Sequence, residues 1–262
     1  MAPDRETSIR RGMDVLLSLA SPEAVERGGM GVTRISELLG REKSQVSRAL
    51  KALSEYGLVE RNRDAMTYRL GWRLYALAQI AGRPRVLEEA RPVLRELAGS
   101  TQERVHLSVL EGTTTLTILS ESPGRAVEAV GWVGRETPLY CTSAGQALLL
   151  DHDEDEIRAL LRDVAFVQRA PATLPDLDAL LRKLERCRAA GAVVSDEEFE
   201  SGLLAIAAPV RGSGGEIVAV LNLSGPKFRI EPRVDELVAV VRDQASALSR
   251  ALDAPATDAP AA

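Results

Sequence analysis

Between Ser44 and Leu53 the chain sets Ser44, Ser47, Arg48 and Lys51 on one side of a helix and Val46, Leu50 and Leu53 on the other. The apolar three recur at i, i+4 and i+7, so they share one face and pack inward. The outward four are hydroxyls and cations, with no large apolar group among them. Such a set bonds to phosphate oxygens and base edges, the chemistry of a helix lying in a major groove. The plain alternative is an ordinary solvated helix face. A second candidate is Thr142-Ser143-Ala144-Gly145, small residues that open a helix. The first N–H groups of a helix lack partners and carry the positive end of its dipole, which suits a carboxylate. N-capping by Thr142 or Ser143 would use the same residues with no ligand at all.

Other reactive side chains carry less. Asp196, Glu197, Glu198 and Glu200 invite a metal or acid/base reading, but a run of acids is more often a solvated loop or a first helical turn. His106 sits on an alternating strand and reads as structural. Cys141 could be activated by the neighbouring helix start. No base is placed beside it by any motif, so no catalytic residue is assigned. Cys187 falls on a helix. Two cysteines give neither a disulfide framework nor a metal-ligand cluster, and no cofactor motif is present.

Several elements must position these groups. A first helix is expected over Ile9–Ala20, capped by Thr7 or Ser8, with Ile9, Met13, Leu16, Leu17 and Ala20 as its buried stripe. Residues 21–31 read as a loop with room for one helical turn. Thr33 can cap a second helix that buries Ile35, Leu38 and Leu39 and closes at Gly40. The third runs from Glu42 or Lys43 to Tyr56-Gly57. Strands Leu58–Arg61 and Met66–Leu70, joined by a turn at 62–65, form a wing. Arg61 and Arg63 near its tip are placed for phosphate or a minor groove. Residues 71–82 form a joining helix with Leu74, Leu77, Ala78 and Ala81 at helical spacing, a dimerisation candidate.

Gly82 and Pro84 mark a boundary. Beyond it come a helix over 85–99, kinked or split at Pro92, and two strands around Glu111-Gly112. A strand over 126–133 and helices near 143–150, 154–163 and 175–190 follow. Strands near 192–195, 203–210 and 216–224 and a closing helix over 231–252 complete the pattern. Hairpins with segregated helices make an α+β domain with a mainly antiparallel sheet. The division is therefore 1–70 as a winged helix-turn-helix, 71–83 as linker helix, 84–253 as the second domain and 254–262 as a disordered tail.

The bulk numbers fit two jobs on one chain. At 262 residues, with 45% apolar and 27% charged residues, the chain is long enough for two soluble domains. No apolar run nears the roughly 18 residues of a membrane span, and the N-terminus has no hydrophobic leader, so a cytoplasmic location is expected. The net charge of −5 is unevenly spread: residues 1–83 hold 14 Lys/Arg against 10 Asp/Glu, and the remainder 19 against 28. Basic character thus sits at the front, where phosphate contact would fall.

Two further stretches, TPLYCTSAGQALL (137–149) and SDEEFESGLLAIAAPV (195–210) followed by VAVLNLSGP (218–226), resemble signatures of the IclR family of bacterial transcription regulators. The resemblance covers roughly residues 8–250 and keeps the order of the parts. It implies an N-terminal winged helix-turn-helix, a linker helix, a GAF-like effector domain, and dimers often paired into tetramers. Lys43, Ser44, Gln45, Ser47 and Arg48 match positions that face DNA in such regulators, and Thr33 and Arg34 join that set. Arg48 would read guanine and Gln45 adenine, while Lys43 and Ser44 suit phosphate. The resemblance also marks Ser195, Ala205, Asn222 and Ser224 as effector-lining beside Cys141, Thr142, Ser143 and Ala144. Ala205 and Asn222 stand where members of the family often carry Cys and Ser. Asn222 and Ser224 are two apart, hence on one face, and suit a small organic acid. The plain reading of these polar groups is that they are satisfied within the sheet.

The expectation is a homodimeric or homotetrameric repressor of double-stranded DNA, with a palindromic operator, released or tightened by a small acid. Two alternatives stand beside it: an enzyme using Cys141 with a DNA-binding appendage, and a constitutive DNA-binding protein whose second domain only oligomerises.

Overall fold

The computed structural model describes residues 8–62, 64–81, 84–124 and 132–254, in two units, Met1–Pro84 and Arg85–Ala262. The first unit runs α1 (Ser8–Leu19), α2 (Pro22–Glu26), α3 (Val32–Leu39), α4 (Lys43–Glu55), β1 (Val59–Asn62), β2 (Thr67–Leu70) and α5 (Trp72–Ala81). Val15, Leu19, Ile35, Val46, Leu50 and Val59 meet in its core. β1 and β2 pair antiparallel, and Met30 adds a bridge to Tyr68. Gly29 permits that approach: its φ is +139°, and a Cβ there would stand 2.8 Å from the Tyr68 carbonyl oxygen.

The buried stripe of α1 differs from the expected one. Val15 and Leu19 are buried, whereas Ile9, Met13 and Leu17 are exposed. The helix carries two i, i+4 apolar rows, and the unit packs the row beside Gly12, which lies against Leu53. Residues 21–31 contain α2, capped by Ser21. Thr33 is not a cap: α3 starts one residue before it, after Gly31, which makes no side-chain cap bond. Leu38 is exposed, Ile35 is buried, and Gly40 closes α3 in the left-handed conformation. At the wing tip Asn62 Oδ1 accepts from the Asp64 and Ala65 N–H groups at 3.1 Å each.

The second unit runs α6 (Pro84–Thr101), β3 (Arg104–Glu111), β4 (Thr114–Glu121), β5 (Glu136–Pro138), α7 (Ser143–Leu148), α8 (Glu154–Leu160), α9 (Leu177–Ala190), β6 (Val193–Asp196), β7 (Leu203–Arg211), β8 (Ile217–Pro226), α10 (Lys227–Ile230), a 3-10 turn (Glu231–Arg233) and α11 (Val234–Asp253). The six strands form an antiparallel sheet in the order β5-β4-β3-β8-β7-β6. The α+β expectation is thereby met. Pro92 lies inside α6 without splitting it. The strand expected over 126–133 falls largely outside the described residues. Trp132–Arg135 leads instead into β5, which the sequence reading did not anticipate. Of the expected tail, 255–262 also lie outside them.

One sheet face carries Leu107, Ile206, Leu221 and Leu223 into a core with Leu94 and Leu97 of α6 and Leu237 and Val241 of α11. The other carries Val193, Ala207 and Val220 against Leu148 of α7, Ile157 of α8 and Leu180 and Leu184 of α9. Each fully buried Leu or Ile stabilises by roughly 1.5–3 kcal/mol relative to exposure. With both faces covered, the polar side chains of β3 and β8 are shut inside, under α7.

Candidate functional site

On α4 the side chains of Lys43, Ser44, Ser47, Arg48 and Lys51 are exposed, while Gln45 is half-buried. Val46 and Leu50 hold the opposite face in the core. Ser44 Oγ donates to Glu42 at 3.3 Å, and Arg48 Nε donates to the Ser44 carbonyl at 3.3 Å. Thr33 is exposed. Arg34 is less available than its position suggested, because Nε and Nη2 donate to Glu23 at 3.0 and 2.9 Å. That pairing holds the Glu23 carboxyl below its usual range. Arg61 lies 5.7 Å from the Tyr68 ring centroid and donates to Met66 Sδ. Arg63 lies outside the described residues.

In the second unit a cavity of about 50 Å³, partly open, lies between the sheet and the start of α7. Ser195, Ala205 and Ser224 stand side by side across β6, β7 and β8, and His106 pairs with Asn222 across β3 and β8. All five line the cavity, with Thr142, Ser143 and Ala144 above them. Seven of the eight residues expected at an effector site are therefore brought together. Cys141 is the exception. Its side chain is fully buried but not in the lining, and only its carbonyl approaches, 3.4 Å from Ser195 Oγ. Thr142 is in extended backbone, where successive side chains point to opposite sides, so Cys141 turns away from the space that Thr142 lines.

Thr142 caps α7: its Oγ1 accepts from Gly145 N–H at 3.1 Å and donates to the Pro138 carbonyl at 2.8 Å. Its own carbonyl takes Gln146 N–H at 3.0 Å. Ser143 and Ala144 open the helix, where the first N–H groups have no acceptor within it. Asn222 Nδ2 donates to Ser143 Oγ at 2.6 Å, tying β8 to the helix start. Gly145 allows α7 to sit this low, since a Cβ there would lie 2.6 Å from the Leu139 carbonyl oxygen.

The sequence reading missed half of the lining: His106, Ser108, Thr117, Trp132, Thr137, Phe199 and Leu203. His106 is buried, its Nε2 stands 3.4 Å from Ser224 Oγ, and its Nδ1 has no partner. Its ring lies 4.9 Å from that of Trp132, on which Arg135 stacks at 4.4 Å. Burial, with Arg104 and Arg135 nearby, pushes its pKa down to about 3, so the ring is neutral. A signal was present: His106 and Ser108 alternate with core residues on β3 just as Asn222 and Ser224 do on β8. The acid run also differs from a solvated loop. Glu198 is buried, paired with Lys183 and accepting from Gln146 Nε2 at 2.7 Å. Its neighbour Phe199 thereby reaches the cavity. Burial pushes the Cys141 thiol up to about 11.

A winged helix-turn-helix with an exposed cationic helix, carried on one chain with a cavity-bearing antiparallel domain, defines a ligand-responsive, DNA-binding transcriptional regulator. Residues 8–63 match the IclR helix-turn-helix domain, and residues 78–250 match the pattern described as bacterial transcriptional regulator IclR C-terminal. The chain belongs to the IclR family. It is 32% identical over 254 residues to the HTH-type transcriptional regulator XynR of Escherichia coli, covering 95% of this chain and 98% of the relative. It is 30% identical over 250 residues to the HTH-type transcriptional repressor AllR of Salmonella typhi, covering 94% and 89%. Among solved structures, an IclR homologue from Microbacterium hydrocarbonoxydans, complexed with 4-hydroxybenzoate, superposes with a TM-score of 0.78 at 25% identity, over 94% of this chain and 99% of that one. The IclR regulator of Alicyclobacillus acidocaldarius gives 0.76 at 26% identity, over 93% and 98%.

Proposed function

We propose that this regulator is a cytoplasmic repressor that binds its operator as a homo-oligomer and answers to a small organic acid held in the cavity under α7. The cavity carries the reading: polar side chains from five strands and from the start of α7 line one space. Its size, about 50 Å³, is room for roughly three to five waters, the bulk of a two- to four-carbon acid. Ser143, Ala144, Ser195, Asn222 and Ser224 would hold the acid. On the DNA side Lys43, Ser44, Ser47, Arg48, Lys51 and Arg61 are the contacts, with Gln45 and Thr33 at the edge of that face. The repressor named AllR and the 4-hydroxybenzoate complex among its relatives support repression and an acid effector.

Two copies would read half-sites about one helical turn or more apart. The exposed Trp72, Tyr75 and Leu77 of α5, and Ile9, Met13 and Leu17 of α1, support association through the DNA-binding unit. Acid binding would shift the affinity for DNA by a coupling of roughly 1–3 kcal/mol. Cys141, buried and with a raised pKa, is unsuited to a nucleophilic role. The test is a mobility-shift titration of the protein's own upstream region, with and without a panel of small carboxylic acids, repeated on Asn222→Ala. At least one acid is expected to change the DNA affinity of the wild type, and Asn222→Ala to weaken that response. No response to any acid leaves a constitutive DNA-binding protein.

A further inference from the structure

Among the described residues the lining of the cavity contains no Arg or Lys, and His106 is its one ionisable side chain. An anion entering such a space would be buried without a counter-charge, which is costly. His106 lines the space, only 4% of the residue is exposed, and its buried Nδ1 has no hydrogen-bond partner. Its Nε2 has a hydroxyl, Ser224 Oγ, at 3.4 Å. Resting on the reading of this cavity as an acid site, we propose that the effector binds together with one proton taken from solvent and carried by His106. In the complex Nδ1–H donates to the ligand carboxylate and Nε2–H donates to Ser224 Oγ.

The surroundings explain why the proton arrives only with the acid. From β4, Ser120 is the register neighbour of His106 and Thr117 lines the same space; from β8 come Asn222 and Ser224, and from α7 Ser143 and Ala144. None of these is charged. The described charges near the ring are Arg104 on its own strand and Arg135 above Trp132, both cations that disfavour an imidazolium. Burial acts in the same direction and is the larger effect. A carboxylate against Nδ1 reverses the balance by supplying one negative charge at contact distance. The two ionisations then stabilise each other.

Binding coupled to uptake of one proton weakens up to tenfold per pH unit, by linkage. The experiment is isothermal calorimetry on the full-length protein with glycolate, lactate, pyruvate, oxaloacetate, benzoate and 4-hydroxybenzoate. Titrations run from about pH 5.5 to about pH 7.2, each in MES and in Bis-Tris, whose ionisation enthalpies differ. For an acid that binds, Kd is expected to rise at least tenfold across the range, and the two buffers to report about one proton taken up at the acidic end. His106→Asn, which keeps a hydrogen-bonding group beside Ser224, should bind more weakly and with a flat pH profile. A wild-type Kd constant within about twofold, or equal heats in both buffers after correction, overturns the proposal while leaving the acid site intact. A pH slope that survives in His106→Asn also overturns it, by placing the proton on the ligand. If none of the acids binds at any pH, the acid-effector reading falls and this inference falls with it.

Discussion

Arg48 and Lys43 differ in what their loss removes. An arginine bonded to a base edge carries roughly 1–3 kcal/mol of discrimination, whereas a lysine on phosphate carries affinity without preference. In fluorescence anisotropy over a salt series, Arg48→Ala should flatten the difference between operator and scrambled duplex by about tenfold. Lys43→Ala should weaken both duplexes alike and reduce the salt slope by about one. Identical behaviour of the two variants would remove the assignment. His106 makes a prediction about stability. Its pKa is lowered by burial from 6.5 to about 3, so the unfolded chain takes a proton that the folded protein refuses. Stability should therefore fall as the pH drops below about 6.5, by up to ~1.4 kcal/mol per unit. Thermal melts between about pH 7 and pH 5 should fall more steeply for the ligand-free wild type than for His106→Asn, and parallel curves would refute this. His106 was legible only as a polar residue on a strand; that both sheet faces are covered, which turns such a residue inward, depends on pairing far along the chain.

The elements around the cavity are held by a few close fits. Gly145→Ala would force α7 off the Leu139 backbone. An overpacked contact of this kind costs roughly 1–3 kcal/mol, so the melting temperature should fall and acid binding weaken together. Glu198 bonds the acid run to α9 through Lys183 and to α7 through Gln146. Glu198→Ala would leave the half-sequestered Lys183 ammonium without its partner, at about 3 kcal/mol, whereas Glu198→Gln should cost less; denaturant midpoints check both. Periodicity made the helices and the long strands legible, because 3.6-residue and two-residue repeats leave plain traces. It did not decide which of two rows α1 buries, nor reveal β5, whose three residues are too few to show alternation. It also missed the burial of Glu198, since a run of four acids gives no sign that one turns back into the protein.

At the scale of the molecule, the charge division seen in the sequence coincides with the division into two units. The first carries an excess of Lys/Arg, 14 against 10, and the remainder an excess of Asp/Glu, 28 against 19. This much was readable from composition, because counting charges needs no fold. The physical result is that the two binding events feel dissolved salt with opposite sign. Each phosphate contact releases counterions, so affinity for DNA drops as salt rises. A small anion approaching the acidic half is repelled, and screening eases its approach. Measured between about 50 and 200 mM NaCl, DNA affinity should fall by orders of magnitude while the association rate of an acid effector rises. Osmotic upshift would then loosen the repressor from its promoter while the sensing half loads more readily, with no change in metabolite level.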